Sequence, residues 1–375
     1  MLTPKEMIYQ FSSFMKKILI FSPFFIRTGK SKGFLGGMPL QAYFYAKRYL
    51  VNGYEVNVVT LKMPGSLKRE LFEGIKITRV GLVNSRVGFE IEEIKEVVDR
   101  VRPDIYLQFY SRSGKGEKAL MFLPEIKKRF NSECLVRFGR SDEIPDLSPV
   151  SKKALEEATS ILVNRTMVKG FVKSIPKAKY LVIENKADKK IFYPKRVEEK
   201  VILRGKYSIP KNHFVVLFTG RFVKNKGVDS MIKALKNIPK SCKVLGLFVG
   251  DDRAEKLKGR RGFLEELKKC QDFSPGRFRI MGQLDHRDMP EIYNLANVFC
   301  LPSRAEGLSN SLLEAEACGL SLLVSALPEN RRKGAEVITN LEKQILAKYR
   351  MYNLGLDDYK NRAKNIVGVY GADAG

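Results

Sequence analysis

The sequence predicts an α/β protein built from two Rossmann-like domains, and three observations predict it. Short apolar runs alternate with segments of helical period along most of the 375 residues, as parallel strands covered by helices require. The alternation comes in two successive series, joined near Glu184 to Tyr207 by a weakly periodic stretch with Pro194 and a Lys/Glu cluster, the composition of a connector. A hydrophobic share of 44% over this length supplies roughly two or three domain cores.

The first series opens with the strand Lys17 to Phe21 and a Gly- and Lys-rich loop. A helix follows from about Pro39 to Asn52. Gly53 suits its C-cap, and Tyr54 to Leu61 reads as the next strand. Further strands are expected at Ile75 to Val80, Ile105 to Phe109, Cys134 to Phe138, Ile161 to Val163 and Tyr180 to Ile183. The second series runs through Val215 to Phe218, Lys243 to Val249, Phe278 to Met281, Val298 to Leu301 and Ser321 to Val324. Residues 1–185 and 186–375 are therefore taken as the two domains. In open parallel sheets, ligands sit beyond the carboxyl ends of the strands, so candidate chemistry belongs in the loops there.

Composition excludes several classes. The longest apolar runs fall far short of a membrane span. The N-terminal stretch Met1 to Lys17 lacks the apolar core and cleavage site of a signal peptide. It reads as an extension before the first strand, with an interfacial helix through Met7, Ile8, Phe11, Phe14 and Met15 as the alternative. Five cysteines (Cys134, Cys242, Cys270, Cys300, Cys318) form no C-x-x-C pair, which argues against disulfide and zinc frameworks and for a reducing cytoplasm. The net charge of +27 suits nucleic acid, an anionic membrane or a phosphorylated substrate alike. It is spread over both halves, with 35 basic and 20 acidic residues through Lys190 and 33 and 21 beyond. No nucleic-acid motif accompanies it, so nucleic acid is not an expected partner.

Two nucleotide signatures are missing. Ser22-Pro23-Phe24-Phe25 follows the first strand where a dinucleotide fold would have G-x-G-x-x-G, and no G-x-x-x-x-G-K-[ST] occurs. Gly36-Gly37 at a helix start can still offer backbone N–H groups to an anion, although a turn without function fits the same residues. In the second series, Thr219-Gly220-Arg221-Phe222-Val223-Lys224-Asn225-Lys226-Gly227 links a strand to a helix. Gly220 permits the turn, and Arg221 and Lys226 place two cations near a helix N-terminus, where a diphosphate would be held by charge and dipole. The plain alternative is a solvated basic loop. The second constellation is the stretch Pro302 to Gly319, PSRAEGLSNSLLEAEACG. Ser309 or Asn310 caps its helix and Gly319 ends it. Glu306 precedes the helix. Glu314 lies one turn inside, on the face of Asn310 and Ser311. A carboxylate suits paired sugar hydroxyls, and the backbone N–H groups suit phosphate or sugar oxygens. Glu316 lies on another face and reads as exposed or locally paired.

These residues together resemble the retaining glycosyltransferases of the GT-B fold, family four. The resemblance rests on Gly220, Arg221, Lys226 and Gly227, on the E-x(7)-E spacing of Glu306 and Glu314, on Gly36-Gly37, on Gly53-Tyr54-Glu55-Val56, and on VIENKADKKIFYP from Val182 to Pro194. It spans about Lys17 to Ser325. It implies GT-B architecture, with an acceptor-side first domain and a donor-side second domain facing across a cleft, and a sugar transferred from a nucleotide-sugar donor to an acceptor hydroxyl with retention of configuration. In that scheme Arg221 and Lys226 bind the donor diphosphate and stabilise the departing nucleoside diphosphate. Glu314 holds ribose hydroxyls, Glu306 contacts the transferred sugar near the reacting carbon, and Gly307, Leu308, Ser309, Asn310 and Ser311 contact sugar or phosphate. Members are generally metal-independent, so no metal or other cofactor is expected, in keeping with the lack of a D-x-D motif. A glycan or lipid-linked acceptor is implied, and the remaining positive charge suits an anionic membrane surface facing the cytoplasm.

The chain departs from the family's pattern in places. Its histidines are His213 and His286, neither in the first series, where the family often has one near the sugar. His286, in Asp285-His286-Arg287-Asp288, reads as a helix cap. Arg137, Arg140 and Asp142 are candidates for sugar or acceptor contact from first-domain loops, an ordinary salt-bridged loop being the alternative. Lys186 stands where the family usually has Gly. After Ser325 the sequence reads as mostly helical and the second domain as short, with a last helix that could pack back on the first domain. A catalytically impaired nucleotide-sugar-binding subunit is the alternative function.

Overall fold

Runs such as Ile18 to Phe21 and Val298–Leu301 become buried parallel strands, because helices on both faces leave neither side of the alternation for water. The computed structural model describes residues 15–27, 33–34, 37–62, 65–82, 91–110, 114–139, 147–252, 262–307 and 309–355. The chain divides into two units, Met1–Glu184 and Asn185–Gly375.

Among the described residues, unit 1 holds ten strands: β1 (Lys17–Phe21), β2 (Ile26–Arg27), β3 (Gly33–Phe34), β4 (Glu55–Lys62), β5 (Arg69–Phe72), β6 (Ile75–Leu82), β7 (Ile105–Phe109), β8 (Glu133–Arg137), β9 (Ser160–Val163) and β10 (Tyr180–Val182). Its helices are α1 (Gly37–Val51), α2 (Ile91–Val101), α3 (Gly114–Leu120), α4 (Leu123–Phe130), α5 (Pro149–Glu157) and α6 (Val168–Ser174). Eight strands form one sheet in the order β10-β9-β8-β7-β1-β4-β6-β5, while β2 and β3 pair separately. Period-two alternation divides β1 between two cores. Leu19 and Phe21 enter one, and Ile18 and Ile20 enter the other. β5 was not foreseen: it pairs antiparallel at the sheet edge, and its half-exposed Arg-Glu-Leu-Phe carries no buried-strand signature.

Unit 2 holds β11 (Phe214–Thr219), β12 (Val244–Val249), β13 (Phe278–Gly282), β14 (Val298–Leu301), β15 (Ser321–Val324) and β16 (Glu336–Val337). Its helices are α7 (Val197–Lys206), α8 (Val228–Asn237), α9 (Leu264–Phe273), α10 (Met289–Leu295), α11 (Asn310–Ala317) and α12 (Leu341–Asn353). The all-parallel order is β13-β12-β11-β14-β15-β16. Val215 and Leu217 face one core, and Phe214, Val216 and Phe218 face the other.

The segment after Ser325 corrects the sequence reading. It is not simply helical: two residues of β16 extend the sheet and α12 follows, so a short strand-helix unit is present. α12, the last described helix, packs on the core of its own unit through Leu341 and Ile345, with Tyr349 and Tyr352 beside the Phe214 ring. Two residues are too few for a periodicity to announce β16.

Sheet order places the candidate chemistry. In unit 2, strands add from β11 to one side through β13, and then the chain returns to lay β14 on the other side of β11. The loops after β11 and β14 therefore leave the sheet side by side at its switch point, the position where open α/β sheets bind ligands. Among the described residues no helix is long and apolar enough to cross a membrane.

Candidate active site

β11 ends at Thr219 and gives way to Gly220 at φ 143°, a conformation closed to other residues. The chain then makes one 3₁₀ turn, Lys224–Lys226, and enters α8 through Gly227 at φ 70°. Gly227 is needed twice over. Its left-handed φ favours glycine, and a Cβ there would lie 1.9 Å from the Pro302 carbonyl oxygen of the neighbouring loop. The loops are also tied directly. The Arg304 amide donates to the Asn225 carbonyl at 2.9 Å, and its guanidinium donates to both Asp229 carboxylate oxygens at 2.7 Å and to the Lys224 carbonyl. Burial would raise the Asp229 pKa, but the Arg304 hydrogen bonds and charge prevail and hold that carboxyl below its ordinary value.

This fastening brings together two residues 80 positions apart. The Lys226 ammonium lies 2.6 Å from each carboxylate oxygen of Glu306, and the Ser303 hydroxyl donates to Glu306 Oε1, also at 2.6 Å. The Glu306 side chain is 5% exposed and that of Lys226 24%, so the carboxylate is the more deeply buried partner. Arg221 is exposed and stands immediately beyond Gly220. The cation and carboxylate picked out for two different chemistries are thus one ion pair.

Glu314 projects from the inner face of α11 and is almost fully buried. The Tyr293 hydroxyl, on α10, donates to its Oε2 at 2.8 Å, and His286 Nε2 lies 2.9 Å from its Oε1. Burial first, and then the Glu314 charge, push the Tyr293 phenol well above its ordinary pKa, which keeps its proton in place as a donor. The Phe192 ring packs edge-on against both His286 and Tyr293. Each carboxylate oxygen retains a second acceptor direction.

Residues 213–350 match the family model for glycosyl transferases group 1. The second unit carries a glycosyl transferases group 1 domain. The chain as a whole has the two-unit α/β architecture of GT-B proteins. Its similarity to a sucrose-phosphate synthase from Thermosynechococcus elongatus has a TM-score of 0.71 at 18% identity, covering 94% of each chain. An Anabaena HepE structure in complex with UDP-glucose aligns with a TM-score of 0.63 at 16% identity, over 95% of this chain and 99% of that one. Among curated proteins, the alpha-galactosylglucosyldiacylglycerol synthase of Streptococcus pneumoniae is 27% identical over 217 residues. That match spans 56% of this chain and 56% of the relative, so the chain covers little more than half of that relative's length.

Within the group 1 domain, α11 begins at Asn310 with Ser309 at its N-cap, but the Ser309 hydroxyl meets Ser311 Oγ at 2.9 Å instead of capping a backbone N–H. Asn310 Oδ1 accepts from the Asn185 side chain at 3.1 Å. Gly307 is half-buried beside Glu306, and Glu316 pairs loosely with Arg332 at 3.9 Å. Leu308 and Gly36 lie outside the described residues, while Gly37 is the first residue of α1 in unit 1. Among the described residues no group of three His, Cys, Asp or Glu side chains is placed to hold a metal ion.

Two expectations need correction. His286 does not cap α10, whose N-cap is Asp288; its ring reaches α11 and contacts Glu314 instead. Arg137 is not a surface contact for a ligand. It is 1% exposed and donates to Asn164 Oδ1 at 2.6 Å inside unit 1. Arg140 and Asp142 lie outside the described residues. Sequence reasoning missed His286 and Tyr293 as partners of Glu314. No fixed spacing links them to α11, and a buried carboxylate's need for donors was the one available signal.

Proposed function

We propose that the chain is a glycosyltransferase that moves a sugar from a nucleotide-sugar donor to an acceptor hydroxyl, with retention of anomeric configuration. The observation that carries this reading is the paired Lys226 ammonium and buried Glu306 carboxylate at the switch point of the group 1 sheet. Transfer separates a sugar bearing developing positive charge from a diphosphate bearing developing negative charge. Cations and a carboxylate side by side match that separation. In this reading Arg221 and Lys226 hold and stabilise the leaving diphosphate, and Glu306 faces the transferred sugar near its reacting carbon. Gly307, Leu308, Ser309, Asn310 and Ser311 contact sugar or phosphate. Glu314, aligned by His286 and Tyr293, accepts ribose hydroxyls. Gly36 and Gly37 offer backbone N–H groups to the substrate. The second unit takes the donor and the first the acceptor.

Incubation with nucleotide sugars is expected to release a nucleoside diphosphate and yield a product whose anomeric proton coupling matches that of the donor. Turnover persists in EDTA, since Arg221 and Lys226 supply the positive charge. Arg221→Ala lowers it by about 10²-fold or more. An inverted product anomer, or full dependence on a divalent ion, would contradict the assignment.

For the acceptor we propose a lipid-linked molecule or glycan precursor presented at an anionic membrane surface on the cytoplasmic side. The S. pneumoniae relative is named for a glycosylated diacylglycerol, and unit 1 carries a suitable surface. From Ala158 to Ile183 the chain has no acidic residue, and Arg165, Lys169, Lys173, Lys177 and Lys179 are all exposed around α6 and β10. Val172, Leu181 and Val182 are exposed among them. Each cation near such a surface contributes on the order of 1 kcal/mol. Cosedimentation with phosphatidylglycerol vesicles at low salt is expected and is weakened by Lys169→Glu with Lys173→Glu. Equal partitioning to neutral vesicles would remove the membrane from the account.

A further inference from the structure

The ion pair between Lys226 and Glu306 has a consequence for how the proposed donor enters. An ammonium held at 2.6 Å from both oxygens of one carboxylate is already neutralised by the protein itself. A diphosphate that draws on the same N–H donors competes with that carboxylate. We infer that Glu306 is the resident counter-ion of Lys226 and that donor phosphate exchanges with it, freeing the Glu306 carboxylate from the ammonium as the donor binds. The inference rests on the glycosyltransferase reading and adds to it an order of events at the same residues.

Three features fit an exchange. The Lys226 side chain is the more exposed partner and sits in a single 3₁₀ turn that ends at Gly227, so its ammonium can swing to an incoming anion. Glu306 is also held by the hydroxyl of Ser303, which is buried in the same loop and donates to Oε1. When the ammonium leaves, Ser303 still donates to Oε1. The carboxylate therefore does not become a buried charge with no donor at all, the costliest state for such a group. Ser303 is in this sense a positioning residue, keeping Glu306 in place through the exchange. The third feature is specificity. A neutral ligand cannot displace the carboxylate, so the ion pair leaves Glu306 tied unless a phosphate is present.

The test is a double-mutant cycle read by nucleoside diphosphate binding. Dissociation constants for UDP, GDP and ADP are measured calorimetrically on the wild type, Glu306→Gln, Lys226→Ala and the double variant. The diphosphate that binds the wild type is expected to bind Glu306→Gln about five- to tenfold more tightly, since the competing anion is gone. The gain vanishes in the Lys226→Ala background and is absent for the corresponding nucleoside. Glu306→Ala, which removes the carboxylate without leaving an amide, gives a gain in the same direction should the Gln variant fold poorly. Equal or weaker diphosphate binding by both Glu306 variants overturns the exchange and leaves the glycosyltransferase reading standing. Failure of every nucleoside diphosphate to bind wild type and variants alike overturns that reading and the exchange with it.

Discussion

Glu306→Gln is expected to lower turnover of the preferred nucleotide sugar by about 10³-fold, within the range lost when a preorganised electrostatic partner of a transition state is removed. Binding of the nucleoside diphosphate survives the change. The amide keeps the shape of the carboxylate and its hydrogen bond from Ser303, so the loop keeps its place. What is lost is the negative charge that, in the proposed reading, stands beside the carbon from which the diphosphate departs. Single-turnover kinetics separate the steps: the chemical step slows and donor affinity does not fall. A variant that keeps full turnover would remove Glu306 from the chemistry and leave it a structural partner of Lys226.

Gly227→Ala is expected to destabilise unit 2 by roughly 4 kcal/mol or more. A left-handed backbone, at about 1–2 kcal/mol for an L-residue, adds to a steric conflict of the kind that gives the largest single-site losses. The conflict is with backbone. The new Cβ would lie 1.9 Å from the Pro302 oxygen and 2.6 Å from its carbonyl carbon, and no rotamer relieves that. The alternative to unfolding is for the β11 and β14 loops to part, which separates Lys226 from Glu306. Calorimetry is expected to show a melting temperature lower by about 8 °C or more, with loss of nucleotide binding. Gly205→Ala serves as the contrast. It lies within α7, has an ordinary helical backbone, and nothing stands within 4 Å of its Cβ position. Alanine there is expected to leave stability unchanged or raise it by up to about 1 kcal/mol.

Much of this arrangement was legible from residue patterns, and the gaps have physical causes. Buried parallel strands announce themselves as dense apolar runs, so Lys17–Phe21, Ile105–Phe109, Val298–Leu301 and Ser321–Val324 fall where the sequence places them. β5 and β16 escape because an exposed antiparallel edge and a two-residue strand leave no periodic trace. At the site, residue type identified Arg221, Lys226, Glu306 and Glu314 as candidates, but not who pairs with whom. The contact between Lys226 and Glu306 exists because β14 lies beside β11, a fact of strand order that no local spacing encodes. The same holds for Tyr293 and His286, which approach Glu314 only once α10 packs against α11. A basic loop read from sequence as a phosphate cradle already holds a counter-ion of its own in Glu306.

Titration of the purified chain with UDP, GDP and ADP, followed by its melting temperature, tests the central claim most directly. One of the three is expected to raise the melting temperature by several degrees at millimolar concentration. Its sugar conjugate should then be consumed, and Arg221→Ala should abolish the shift. Absence of any shift with all three nucleotides and their common sugar conjugates would contradict the account. A shift without consumption of any sugar nucleotide would leave a binding subunit in place of an enzyme.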